Sequence, residues 1–599
     1  MTANTLSPAL AAELDRLNDE QRDVALHVGN LAVQAGPGSG KTRTLVAKVG
    51  YLLEAHVPRW QGVAAITFTR PAAREMTDRL AVLGVQSGRR LNSATVHGWC
   101  LNAILRPYGP MLGVPSIGPD SVIESGTTEW NNILQSCLDD LHLSTTDKTI
   151  FTRIRRTIAA GEAVDENNAM VKVARRFDEK LLERGWFDFD SMVAKSLQIL
   201  QLSPRVSHLV AVRYPWLIVD EYQDLGPVLH QLVLHMHDKA GVKIAAFGDP
   251  DQTIMSFLGA DPRYLRELAA RPDFHAGTLS TNYRCGQAII AASHVTLDEK
   301  RAHHADPNRN DPGLIEHIYV EGDIPHHAHA AVRKIRELTA GGIPAHRIAV
   351  LYPSKGPILD ALLEEFHMNA VDYIHDKDGR LPEGNLADFI RDCAARAVFG
   401  PQPSDYDAAP PRTINELIYE YNRLRVAGGL TETAHYAVSR DLVAVVNRVN
   451  TDEPLAGWVS RLSKALDLEL VAAKSLAQRD KQALQAFHAA GTVQGMTVND
   501  AAGFVRVGKV TLATYHGSKA REWDVVILPG LVDSLIPRCS PFNEPSSSEL
   551  ASQRRMFYVG LTRARYAVVL VYGDHWISRN GRRMETGVSR FVAEILSTM

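Results

Sequence analysis

An apolar run, LAVQA (31–35), leads directly into AGPGSGKTRTL (35–45) and from there into a helical stretch. A buried strand that dissolves into glycines and restarts as a helix leaves few folds open. Gly36, Gly38 and Gly40 let backbone N–H groups turn inward on an anion, and the helix N-terminus adds its partial positive charge. Lys41 can reach the β/γ-phosphates and the Thr42 hydroxyl can ligand Mg²⁺. The strict loop pattern starts on glycine; here that position is Ala35 and the remainder is intact. The segment therefore predicts a P-loop in a parallel α/β sheet with a nucleoside triphosphate as ligand. How the energy of hydrolysis is used must be read elsewhere.

Further apolar runs supply the sheets. VAAITF (63–68), WLIVD (216–220) and KIAAFGD (243–249) form one group with LAVQA. RIAVLYP (347–353), KVTLATYH (509–516), DVVILPG (524–530) and YAVVLVYG (566–573) form another. Their near-continuous Val, Ile and Ala content suits strands covered on both faces, and helical stretches such as PAAREMTDRLAVL (71–83) follow several of them. The class is α/β with at least two sheets. Two stretches with little strand signal, 101–186 and 376–504, read as inserted helical subdomains, the second opening with the loop-like FGPQPSDYDAAPPR (399–412). PSSSE (545–549) reads as a short surface loop, and HHAH (326–329) as part of an exposed helix rather than a metal site.

With 599 residues the chain exceeds a single core. Its 65 basic and 68 acidic residues neither demand nor exclude a nucleic-acid partner, since a groove can be basic while the whole is not. The five cysteines contain no CxxC pair, which argues against zinc, iron–sulfur and disulfide frameworks. The N-terminus lacks a signal-peptide pattern and no apolar run reaches membrane-spanning length, so a cytoplasmic protein is expected.

A P-loop enzyme needs a second acidic site at another strand end. WLIVDEYQD supplies Asp220 for the Mg²⁺ shell and Glu221 to orient or deprotonate water. DEYQD resembles the acidic motif of UvrD/Rep-like superfamily 1 DNA helicases, and further motifs follow in that family's order. They are LNDEQRDV (17–24), TFTRPAAREM (67–76), TVHGWC (95–100), GDPDQTIMSFLGA (248–260), NYR (282–284), TYHGSKAREWDVV (514–526), RRMFYVGLTRAR (554–565) and SRFVAEI (589–595).

The resemblance implies two RecA-like parallel-sheet cores, the first at 1–100 and 187–275, the second at 276–375 and 505–599, with helical inserts at 101–186 and 376–504. It implies ATP contacts at Gln21, Gly36, Gly38, Ser39, Gly40, Lys41, Thr42, Arg43, Tyr283 and Glu522, with Gln21 reading adenine, Tyr283 and Arg43 stacking on it, and Glu522 at the ribose. Gln252 would sense the γ-phosphate, and Arg284 and Arg563 would act as arginine fingers from the second core. Gln223 and Asp224 read as wiring between the nucleotide and the DNA-linked segment. Single-stranded DNA would meet Thr67, Phe68, Thr69, His97, Phe257, Thr514, His516 and Lys519. RIRR (153–156) and KVARR (172–176) either touch DNA backbone or form a solvated helical face.

The chain departs from the family at Met255, Leu258, Ala520, Gln553 and Arg70-Pro71. Its second insert is short and shows no Gly-Ile-Gly duplex-contact signature, and no nuclease motif follows the last helicase motif. The implied activity is ATP-driven 3′ to 5′ movement on single-stranded DNA with unwinding of tailed duplexes, in repair or recombination. A second reading is a nucleotide-gated subunit that grips DNA or a repair or defence partner. A third is a P-loop ATPase or kinase for a small molecule, which the ordered DNA motifs disfavour.

Overall fold

The structure is a computed structural model that describes residues 6–85, 88, 90–118, 121–144, 146–254, 259–297, 301–375, 382, 384–400, 411–447, 449–450, 452–475, 477–489, 496–502, 509–519, 521–539, 544–578 and 581–598. Two six-stranded sheets, all parallel, dominate it. The first comprises β1 (Asn30–Ala35), β2 (Val63–Thr67), β3 (Leu91–Thr95), β4 (Trp216–Val219), β5 (Lys243–Gly248) and β6 (Phe274–Leu279), in the order β3-β2-β4-β5-β1-β6. The second comprises β7 (Leu314–Tyr319), β8 (Ile348–Tyr352), β9 (Tyr373–His375), β10 (Val510–Thr514), β11 (Trp523–Leu531) and β12 (Ala564–Tyr572), in the order β9-β10-β8-β11-β12-β7.

The eight apolar runs of the sequence are the eight interior strands. The four edge strands, β3, β6, β7 and β9, carry no such run, because an edge strand is only partly covered and keeps polar residues. Successive residues of each interior strand serve opposite cores. Ala32, Leu217 and Val219 pack with helices Phe189–Leu202 and Pro227–Asp238, whereas Leu31, Val33 and Ile218 face helices Pro8–Asp15 and Lys41–Tyr51.

The first insert has its own small core around Trp130, Phe151, Phe177 and Leu181. Cys100, Leu101, Ala103, Ile104, Leu105, Ile117, Val122 and Phe187 join the core of the first sheet instead. At the centre of the insert stands Arg155, from RIRR. It is 3% exposed, donates to Asp188 at 2.7 and 3.1 Å and to Asp178, and lies over the rings of Phe151 and Phe177 at 5.7 and 4.7 Å. Arg156 pairs with Asp190 at 2.6 Å. Folding buries Arg155 and pairs the two arginines with the carboxylates of Asp178, Asp188 and Asp190. In KVARR, Arg175 pairs with Glu166, and Arg176 with Glu179 and Glu183, on the helix surface.

The second insert is built from helices around Trp458, Phe389 and Leu417. Its first described helix is Asn385–Phe399, and residues 401–410 of the loop-like stretch lie outside the described residues. It docks on helix Arg70–Val82 of the first core through Arg74–Asp392 (3.1 Å), Arg74–Glu420 (3.3 Å) and Arg412–Asp78 (3.1 Å), with Arg412 also held by Asp392 of its own insert (2.9 Å). Two smaller expectations also change. Ser546 is the capping-box residue of helix Ser547–Leu561, so PSSSE starts a helix. HHAH sits in helix Ile324–Ala340 with His327 turned inward onto Val571 O and fully buried.

Candidate nucleotide and DNA site

Parallel strands all point one way, so their C-terminal ends line one edge where ligands are met. Along that edge of the first sheet come the P-loop after β1, Phe68 after β2, His97 after β3, Asp220 after β4, Asp249–Gln252 after β5 and Tyr283–Arg284 beyond β6. The second sheet faces it with the opposite polarity: Glu522 stands just before β11 and Arg563 just before β12.

The P-loop turns on Gly38 (φ 70°) and Gly40 (φ 74°), left-handed conformations that a side chain resists. The second core touches this loop directly: Tyr283 N–H donates to Gly38 O at 2.9 Å, and a Cβ on Gly38 would stand 2.5 Å from Arg284 Cβ. Lys41 pairs with Glu221 and lies 3.6 Å from Asp220 Oδ1. Glu221 itself has a left-handed backbone (φ 53°, ψ 43°), with its N–H held by Asp220 Oδ1 at 2.9 Å. Strain of this kind in a non-glycine residue persists only where the surroundings enforce it.

The two neighbouring carboxyls are pushed apart. Burial raises Asp220 to about 6 against the opposing charge of Lys41. Burial would raise Glu221 too, but Lys41 and Lys519 outweigh it and hold it below the usual carboxylate range. Separation of this sort assigns different roles to adjacent acids.

Gln223 and Asp224 connect outward. Gln223 donates to Glu221 and accepts from Asp249 N at 3.0 Å, and Asp224 receives Lys519 of the second core. Gln252 donates to Asp249 Oδ2 at 2.7 Å and accepts from Arg563 at 3.0 Å. Arg563 is 2% exposed, and burial beside Arg284 pulls it down to about 10. Arg284 pairs with Glu522, which also receives Arg565. Burial would raise Glu522, but the two arginines hold it at about 2.

At the mouth of the cleft, Gln21 donates to Ser39 O at 2.9 Å, Arg43 pairs with Glu13, and the Tyr283 hydroxyl accepts from Asn18 at 2.8 Å. Ser39 Oγ is buried in the cradle without a partner. That orphaned hydroxyl fits a site made to receive phosphate oxygens. Asp220 and Thr42 are hard oxygen donors of the kind Mg²⁺ takes.

The residues expected on DNA fall into three groups. Phe68 and His97 stand together, rings 6.4 Å apart, and His97 packs on Phe189 at 4.8 Å. Those two rings and Asp224 line a cavity of about 480 Å³ between the first core and the first insert. Thr67 is fully buried with Oγ1 unpartnered among the described residues, Thr69 caps helix Arg70–Val82 by accepting from Ala72 N, and Thr514 accepts from Gly517 N at 3.0 Å, while His516 O accepts from Lys519 N at 3.3 Å. Lys519 is engaged with the acidic strand end rather than set among these. Phe257, Met255 and Leu258 lie outside the described residues. Sequence reasoning did not single out Asp249, Asn282 and Arg565. Asn282 accepts from the N–H groups of Arg284 and Cys285 and so shapes the NYR turn. All three lie inside quoted motifs, and the role of Arg565 becomes visible through its pairing with Glu522.

A phosphate loop on one parallel sheet, closed by arginines from a second, defines a two-core P-loop protein. Residues 17–273 match the UvrD/REP helicase N-terminal domain family and residues 468–575 the UvrD-like helicase C-terminal domain family. The chain belongs to the UvrD-like helicases. Among curated relatives it is similar to the ATP-dependent DNA helicase UvrD2 of Mycobacterium tuberculosis, 27% identical over 625 residues, spanning 96% of this chain and 81% of the relative. It is also similar to UvrD1 of Mycobacterium leprae (25% identical; 97% of this chain, 86% of the relative) and to a probable DNA helicase II homolog of Mycoplasma capricolum (24%; 97% and 87%).

Proposed function

We propose that the chain is an ATP-dependent DNA helicase that moves 3′ to 5′ on single-stranded DNA and unwinds tailed duplexes, in repair or recombination. The observation that carries this is the bond from Arg563 of the second core to Gln252 of the first, across the cleft that holds Lys41 and Glu221. A nucleotide bound there meets charged groups from both cores, so binding and hydrolysis change how the cores sit together.

The division of labour follows from the surroundings. Lys41 and the loop N–H groups take the β/γ-phosphates, and Thr42 and Asp220 would hold Mg²⁺. The ion supplies charge neutralisation at the phosphate oxygens. Glu221, freed from Lys41 once that lysine turns to the phosphates, accepts the proton of the attacking water. Arg284 and Arg563 stabilise charge as it develops, and Gln252 reports the phosphate state to the DNA side. Phe68 and His97 stack bases, with Thr69, Thr514, His516 and Phe257 along the strand, while Thr67, buried beneath them, supports the turn from below. The helical inserts flank the cores, the first around Trp130 and Phe177 and the second around Trp458 and Phe389. Five free thiols suit a reducing compartment such as the cytoplasm, and no helix among the described residues is long and apolar enough to cross a membrane.

The test is strand displacement with Mg²⁺ and ATP on duplexes tailed at either end. Displacement confined to 3′-tailed DNA is expected. Displacement from 5′ tails alone would overturn the polarity. Hydrolysis without displacement from either would favour a DNA-gripping subunit with a partner.

A further inference from the structure

Helix Asp19–Leu26 carries Gln21 near its start, and Gln21 reaches the P-loop at Ser39 O. The far end of that helix has no basic residue of its own in the last turn. Its closing carbonyls are met from outside by Lys48, whose Nζ donates to Val24 O at 3.1 Å and to His27 O. A cation on the last carbonyls satisfies orphaned acceptors and complements the helix dipole. Lys48 belongs to helix Lys41–Tyr51, seven residues beyond the P-loop lysine, or about 10 Å along the axis. The remaining side of its ammonium faces the ring of Trp216, 5.5 Å to the centroid. Trp216 opens β4, the strand that ends in Asp220.

One ammonium thus joins the Gln21 helix, the P-loop helix and the acidic strand. It is fully buried. Among the described residues its acceptors are two carbonyls and a ring, with no carboxylate in contact. Burial therefore pulls it down to about 7, only weakly opposed by Asp23. A buried cation without a counter-ion is costly, and an apolar chain would fill the same volume at less cost. What the ammonium adds is two directed bonds on the helix that bears Gln21.

We propose that Lys48 is a positioning residue for base selectivity: it fixes the helix from which Gln21 reads the nucleotide base. This rests on the reading of Gln21 as the adenine contact. A residue that merely stabilised the fold would alter ATP and GTP turnover alike, whereas this role separates them.

The experiment is steady-state hydrolysis of ATP and of GTP by the full chain, with Mg²⁺ and single-stranded DNA, for wild type, Gln21→Ala, Lys48→Met, Lys48→Arg and the Gln21→Ala/Lys48→Met pair. Lys48→Met is expected to raise KM for ATP about tenfold, leave kcat within about twofold, and lower the ATP-over-GTP preference to that of Gln21→Ala. The double variant should lose no more than Gln21→Ala alone, because both act through one contact. Lys48→Arg, which keeps donors for both carbonyls, should retain the preference. Should methionine prevent folding, Lys48→Leu, which also lacks a donor, carries the same comparison. If Gln21→Ala loses the preference while Lys48→Met keeps it, the role of Lys48 is overturned and the adenine reading survives. If Gln21→Ala keeps the preference, the adenine reading itself falls, and the proposal with it.

Discussion

Replacing Arg155 by alanine should unfold the first insert locally while leaving its neighbours standing. The guanidinium holds both oxygens of Asp188, and Asp188 is 2% exposed. Without it, that carboxylate retains Trp130 Nε1 at 3.0 Å and Ser191 N at 2.9 Å as donors and has no cation. Removing one partner of a buried ion pair costs about 3–5 kcal/mol, and the contacts with Phe151 and Phe177 add about 1 kcal/mol. Hydrogen exchange resolves this, since protected amides of helices Thr128–Asp140 and Ala169–Glu183 report local opening. A loss of 3 kcal/mol or more corresponds to opening favoured by over about 100-fold. Adding Asp188→Asn should recover part of the loss by removing the stranded charge. Affinity for single-stranded DNA should change by less than about twofold, as the Arg155 guanidinium is taken up by Asp178 and Asp188. Exchange altered by less than about fivefold, or a weakened salt dependence of DNA binding, would refute the structural assignment and return RIRR to the DNA path.

Two further outcomes follow. Glu420, buried between Arg423 and Arg74, would be raised by burial alone, but the arginines lower it to about 2. A depressed carboxyl stabilises above its unfolded pKa and loses that contribution as pH falls. The docked second insert should therefore weaken between about pH 5 and pH 2 by about 3 kcal/mol, an acid dependence that thermal melts should find flattened in Glu420→Gln. Arg563→Lys keeps the charge but loses the planar fork; kcat should fall about 10³-fold with KM for ATP within about threefold, and an unchanged kcat would remove Arg563 from the chemistry.

The parts of this fold that sequence made readable are those in which one residue decides locally. Interior strands announce themselves because both faces need apolar residues, and the P-loop because glycine, lysine and threonine must be adjacent. Edge strands such as Phe274–Leu279 are half solvated and look like loops. Whether an arginine is free or paired depends on a partner far along the chain. Arg155 meets Asp188 33 positions away and Arg74 meets Glu420 346 positions away, and neither pairing leaves a local mark. Lys48 looks like any helical lysine until the carbonyls of residues 24 and 27 are brought to it. Within the site, motif order identified Lys41, Asp220, Glu221, Gln252 and Arg563, which the fold gathers into one cleft. It could not reveal that Lys519 turns to Asp224, a contact made between the cores.

The central claim is that the cleft between the two sheets hydrolyses ATP and that DNA governs the rate. The direct measurement is ATP hydrolysis with Mg²⁺ against increasing single-stranded DNA, for wild type and Glu221→Gln, with nucleotide binding measured in parallel. DNA-stimulated turnover is expected in the wild type. In Glu221→Gln turnover is expected to be reduced by about 10² or more, with nucleotide still bound through Lys41 and the loop. Wild-type hydrolysis indifferent to DNA, or full turnover in Glu221→Gln, would contradict the central claim.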